Sequence, residues 1–113
     1  MHELTVVQQI VKIADETVLR EQASKVLNIT LEIGECSGIE MSAFDFAWPI
    51  AVRDSLLEFT DLKVIHRKAR AKCGQCSTSF TKRRPYDPCP QCGSFIHHLY
   101  EGNELKIKSM NII

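Results

Sequence analysis

No stretch of this sequence approaches the roughly 20 consecutive apolar residues that a membrane span requires. The start, Met1-His2-Glu3-Leu4, has no basic segment leading into an apolar one. A secretory leader is therefore not expected, and the chain is expected to stay in a reducing cytoplasm. A glycine-rich phosphate loop, a Ser/His/Asp set and an open-site His/Glu metal motif are all missing, which argues against an enzyme. There is no internal repeat and no low-complexity tract. Acidic residues are absent between Lys63 and Arg84, a stretch that holds eight basic ones.

What is present is a globular composition, 44% hydrophobic and 25% charged over 113 residues. The net charge of zero hides a division. Residues 1–62 carry 4 Lys/Arg against 11 Asp/Glu, whereas residues 63–113 carry 10 against 3. Balances of −7 and +7 suggest two units with different tasks.

Periodicity supplies the elements. Leu4, Val7, Val11, Ala14 and Val18 recur at helical spacing, with Ile10 beside them, and predict an amphipathic helix over 4–22. Leu27, Ile29, Leu31 and Ile33 alternate with polar residues and predict a half-buried strand over 25–33. Gly34 and Gly38 bracket a turn that contains Cys36. A second helix is expected to start at Ser42, with Asp45 completing a capping box. Its apolar face is Phe44, Ala47, Trp48 and Ala51, with Val52 a further candidate, and Pro49 should kink it. Residues 62–71 read as a strand, 77–82 and 96–101 as short strands, 101–104 as a turn and 105–113 as a final strand. Leu4, Val7, Val11, Leu27, Ile29, Leu31, Phe44 and Trp48 form the expected core of the N-terminal half, its two helices covering one face of a small sheet.

The strongest chemical signal is Cys73-Gly74-Gln75-Cys76 followed, twelve residues later, by Cys89-Pro90-Gln91-Cys92. Two residues between cysteines let both thiolates of a tight turn point at one ion, and Gly74 and Gly93 offer the positive φ such turns need. Two such knuckles complete a tetrahedral four-thiolate shell, for which zinc is the default occupant. Four protein ligands leave no open coordination position, so the site is expected to be structural. The fifth cysteine, Cys36, reads as a small buried apolar residue rather than a reactive thiol. His66, His97 and His98 read as surface histidines. Adjacent strand residues point to opposite faces, so one of His97 and His98 could face the knuckles.

The chain's start offers a second donor set. A free amine at Met1, the amide of residue 2 and the imidazole of His2 can wrap one ion in adjoining chelate rings, which suits Ni(II) or Cu(II). Glu3 could add an oxygen, its amide nitrogen or an outer hydrogen bond. On its own this pattern is also that of an ordinary solvated terminus.

Taken together, Met1-His2-Glu3-Leu4, the amphipathic helix, Leu31-Glu32-Ile33-Gly34-Glu35, Ser37-Gly38-Ile39 and the paired knuckles resemble the HypA/HybF family of nickel metallochaperones. The resemblance spans essentially the whole chain. It implies an α+β fold: two helices on a small mixed sheet form a nickel domain of residues 1–70. A four-cysteine zinc ribbon, 71–103, is inserted before a C-terminal strand, 104–113, that returns to the sheet. It implies Ni(II) as transferred cargo at His2 and Glu3, with the Met1 amine, and structural Zn(II) at Cys73, Cys76, Cys89 and Cys92. The implied partners are a HypB-type GTPase, the hydrogenase large subunit and, for some members, urease maturation. Pro49 departs from the second helix that the family leads one to expect.

A nucleic-acid-binding zinc ribbon is the competing class. Lys82-Arg83-Arg84 with Phe80 and Tyr86 would serve phosphate and base contacts. The acidic first half would oppose it, and the basic residues could equally meet an acidic partner.

Overall fold

The computed structural model describes residues 2–82, 84 and 86–113. In chain order the elements are α1 (Glu3–Arg20), β1 (Val26–Gly34), α2 (Met41–Ala51), β2 (Asp61–Arg67), β3 (Ala69–Cys73), β4 (Ser79–Lys82), β5 (His97–Glu101) and β6 (Leu105–Ile112). They make two three-stranded sheets, ordered β2-β1-β6 and β4-β3-β5. The first is mixed. Thr60 Oγ1 donates to the Val26 carbonyl and Glu35 N–H to the Arg67 carbonyl, so β1 and β2 ascend together. Lys25 exchanges backbone bonds with Ile113 while Gly34 donates to Glu104, so β6 runs the other way. The second sheet is antiparallel throughout. No helix among the described residues is long and apolar enough to cross a membrane.

The chain divides into two compact units. One comprises Met1–Leu31, Ile39–Val64 and Ile107–Ile113; the other comprises Glu32–Gly38 and Ile65–Lys106. The sequence boundaries at 70/71 and 103/104 fall elsewhere: residues 32–38, 65–70 and 104–106 group with the cysteine-rich unit.

In the first unit, helices α1 and α2 pack on each other. Val7, Ile29, Leu31, Phe44 and Leu57 are fully buried, and the Phe44 and Trp48 rings lie 5.8 Å apart between centroids. Of the expected core residues, Val11 is only half-buried and two are exposed. Leu4 is 45% and Leu27 43% exposed. At 100° per residue, the buried Val6, Val7, Ile10 and Ala14 span an arc about 100° wide, and Leu4 falls about 60° beyond its edge. In β1 the inward set is Val26, then Ile29, Leu31 and Ile33, so the alternation slips by one around Leu27. Glu32 is buried on the other face, where its carboxylate meets Arg67 at 3.0 Å and Lys106 at 3.4 Å.

The expected capping box at Ser42 does not form. Helix α2 begins at Met41 with Glu40 as its N-cap, and no side chain caps it. Ser42 lies inside the first turn, where its hydroxyl donates to Glu40 Oε1 at 2.9 Å. The helix continues through Pro49 to Ala51, and the Val52 N–H still reaches the Trp48 carbonyl at 3.0 Å.

The strand expected over 62–71 is two strands in different sheets, separated at Lys68. The break coincides with a crowded crossing of backbones. A Cβ on Gly102, whose φ is +109°, would lie 2.2 Å from Ala69 Cα, and one on Gly34 would lie 2.0 Å from the Gly102 carbonyl oxygen. Only glycine fits at either position.

Candidate metal centre

The two Cys-x-x-Cys segments fold as near-copies. In the first, Cys73 N–H donates to Thr78 O at 2.9 Å and Ser77 N–H to Cys73 O at 3.2 Å. In the second, Cys89 N–H donates to Ser94 O at 2.9 Å and Gly93 N–H to Cys89 O at 2.8 Å. In each, the residue just after the second cysteine takes a positive φ: +62° at Ser77 and +75° at Gly93. The expectation for Gly93 holds; that for Gly74 does not. Gly74 is needed for space, since a Cβ there would lie 3.0 Å from Ile96 Cγ2 and 3.2 Å from the Ile96 carbonyl oxygen. Its N–H donates to that same oxygen at 2.7 Å.

These turns bring the four cysteines together. One ligand atom from each of Cys73, Cys76, Cys89 and Cys92 lies within 4.8 Å of every other. The Cys73–Cys92 and Cys76–Cys89 sulfurs are 3.5 and 3.6 Å apart, and none is disulfide-bonded. Four thiolates around one ion at about 2.3 Å would stand about 3.8 Å apart, so the spacing matches a tetrahedral shell. The knuckle backbone supports the anionic form. Cys73 Sγ accepts from the N–H groups of Cys76 at 3.5 Å and Gln75 at 3.3 Å, and these hold its thiol below the ordinary value. The Thr78 hydroxyl, 3.1 Å from Cys76 Sγ, is the main reason that thiol falls to about 6. Cys92 goes the other way. The Ser94 backbone N–H favours its thiolate, but the Cys73 sulfur and burial outweigh it and push Cys92 up to about 12. Sulfurs this close ionise together only around a cation, which is the donor chemistry of a metal cage. Cys73 and Cys89 are buried; Cys76 and Cys92 are exposed.

Of the remaining candidates, His97 is the register partner of Cys73 on β5. His2 is exposed and forms the N-cap of α1, its carbonyl accepting from Val6 N–H at 3.1 Å, with its side chain free of any capping bond. Glu3 is the first helical residue. The Met1 amine and Arg83 lie outside the described residues. His66 and His98 are exposed. His97 is half-buried instead: the Lys82 ammonium donates to its Nε2, its ring meets Phe80 edge-on, and its Nδ1 is buried with no partner among the described residues. Cys36 is half-buried rather than a core residue, and burial pushes its thiol up. Sequence reasoning passed over Thr78, and it offered Lys82 for phosphate contacts, whereas Lys82 is buried against His97. The hydroxyl run Ser77-Thr78-Ser79, directly after Cys76, is the signal that marks Thr78.

A helix-and-sheet unit with a histidine at the start of its first helix, and a ribbon that gathers four cysteines within 4.8 Å of one another, define a protein with a candidate metal centre. Residues 1–112 match the family model described as HypA, hydrogenase/urease nickel incorporation metallochaperone. The chain belongs to this family, whose members are maturation factors. It is 36% identical over 110 residues to the hydrogenase maturation factor HypA of Francisella philomiragia, covering 97% of each chain. It is also 36% identical over 112 residues to that of Psychromonas ingrahamii, covering 99% of this chain and 98% of the other. In three dimensions it is similar to the nickel metallochaperone HypA from Helicobacter pylori in its solution structure. The TM-score is 0.69 at 28% identity, with 100% of this chain and 98% of that one covered.

Proposed function

We propose that the chain carries Ni(II) at its N-terminus and passes it to a hydrogenase large subunit, and to urease maturation where a host has one. Zn(II) is held as a structural ion by Cys73, Cys76, Cys89 and Cys92. The observation that carries this reading is the difference between the two donor sets. Four thiolates drawn from two turns would fill a tetrahedral shell and leave no position for exchange. His2 is exposed at the mouth of α1 with its imidazole uncommitted. Cargo must be taken up and given away, so it belongs on the set that can release one donor at a time. His2 supplies its imidazole and backbone nitrogen, the Met1 amine a further nitrogen, and Glu3 an amide or an outer contact.

The cysteine set performs a different task. Zinc there crosslinks two turns that have little apolar surface of their own. In this reading residues 1–70 with 104–113 serve nickel and residues 71–103 form the ribbon. A HypB-type GTPase is the partner for delivery, in the cytoplasm. The test is nickel titration of the untagged, zinc-loaded chain beside His2→Ala. The variant should lose nickel binding while keeping its zinc and fold. Equal nickel binding by His2→Ala would overturn the proposal.

A further inference from the structure

The ribbon sheet presents a one-sided chemistry that metal binding does not use. Its strands alternate cleanly. Ala69, Ala71 and Cys73 of β3 are buried, while Arg70 and Lys72 between them are exposed. In register, Arg70 faces Thr81 on β4 and Glu101 on β5, and Lys72 faces Ser79 on β4 and His98 on β5. Ser79, Thr81 and His98 are exposed too, as is Tyr100 beside the register shift at Arg70/Ala71. The six exposed residues of these three strands are thus two cations, two hydroxyls, a histidine and a tyrosine. The one carboxylate on these strands, Glu101, stands opposite Arg70 and is half-buried, and its charge also acts on the Arg67 guanidinium.

We propose that this face of the β4-β3-β5 sheet docks an extended, carboxylate-rich segment of a partner protein. Charge complementarity is the first argument: the six exposed side chains are cationic, hydroxyl-bearing or imidazole, each can donate to a carboxylate, and the half-buried Glu101 offsets one of the two cations only in part. Spacing is the second. Arg70 and Lys72 are two residues apart on one strand, about 6.6 Å, which is the repeat of alternate side chains in an extended peptide. The Arg70 guanidinium can grip one carboxylate with two parallel bonds while Lys72 takes the next as a point charge. Ser79 and Thr81 lie on the neighbouring strand, about 4.8 Å to the side, within reach of the same groups.

A nucleic-acid strand shares the negative charge but fits less well. Sequence-tolerant single-strand binding uses several aromatic platforms as well as cations, and this face has Tyr100 alone. A long polyanion is also opposed by the −7 balance of residues 1–62, which a short acidic segment escapes more readily.

The test uses the zinc-loaded full chain, without nickel, so that its outcome is independent of the nickel reading. A fluorescently labelled peptide alternating Glu and Thr is the probe, titrated in low salt. Arg70→Glu/Lys72→Glu should weaken binding roughly tenfold or more, and Arg70→Gln/Lys72→Gln by a smaller factor in the same direction. Lys12→Glu/Lys63→Glu, with the same change in net charge but outside the ribbon strands, should leave affinity within about twofold. Zinc content checks that each variant is folded. Equal losses in the two Glu variants, or no loss in either, would overturn the proposal. So would a labelled oligo-dT that binds the parent more tightly than the peptide, or self-association of the parent that Arg70→Glu/Lys72→Glu abolishes.

Discussion

The two compact units are built from opposite materials. Twelve of the buried apolar residues belong to the first, including Val7, Ile29, Leu31, Phe44, Trp48 and Leu57. Among the described residues of the second, the buried apolar side chains are Ile33, Ala69, Ala71, Cys73 and Cys89, beside the charged Glu32 and Lys82. Side chains of this size give little hydrophobic stabilisation, at about 0.8 kcal/mol per buried CH₂. The first unit is therefore held by what it removes from water. The second is held by hydrogen-bonded turns, ion pairs and whatever its four sulfurs bind. The difference teaches where each unit is vulnerable, and the tests below strike at that division.

The largest effect should come from Cys76→Ser or Cys89→Ser. Either breaks the cage, whose metal contributes on the order of 10 kcal/mol in comparable small sites. Hydrogen exchange on the full-length chain should then show amides of 73–94 losing protection while α1, β1 and α2 keep theirs. A strong chelator should do the same to the parent protein. Next in size is Leu31→Ala, which empties a fully buried site and should cost about 2–5 kcal/mol in denaturant unfolding. It should lower the stability of the first unit and leave zinc content unchanged. The smallest effect compares the knuckles with each other. Ser77 holds a positive φ that costs a non-glycine residue roughly 1–2 kcal/mol, while Gly93 occupies the equivalent position freely. Ser77→Gly should therefore raise the ribbon's resistance to chelator or leave it unchanged, and Gly93→Ala should lower it by about 1 kcal/mol.

The cysteine quartet was fully legible in the sequence because its spacing is a local property of two turns. So were the helices and most strands, since apolar periods of 3.6 and 2 report which face is buried. The misreadings have physical causes. Leu4 keeps the helical period but sits past the edge of the buried arc, and three-residue spacing alone does not fix where an arc ends. Leu27 lies where β1 slips its alternation, a tertiary event that a strand's own residues do not announce. The break at Lys68 is set by backbones of Gly34, Ala69 and Gly102 that meet only in the fold. The knuckle residue in the left-handed region is Ser77, which looks ordinary in sequence beside Gly74. His97 is half-buried through its pairing with Lys82, a lysine that composition alone would place in solvent.

The proposed function puts two metals on two chemically separate donor sets, nitrogen-rich at the start and all-sulfur in the ribbon. X-ray absorption on the untagged protein loaded with both metals tests it most directly. The zinc edge should show four sulfur neighbours at about 2.3 Å and the nickel edge nitrogen and oxygen neighbours only. Sulfur in the nickel shell, or a zinc shell dominated by nitrogen or oxygen, would contradict it.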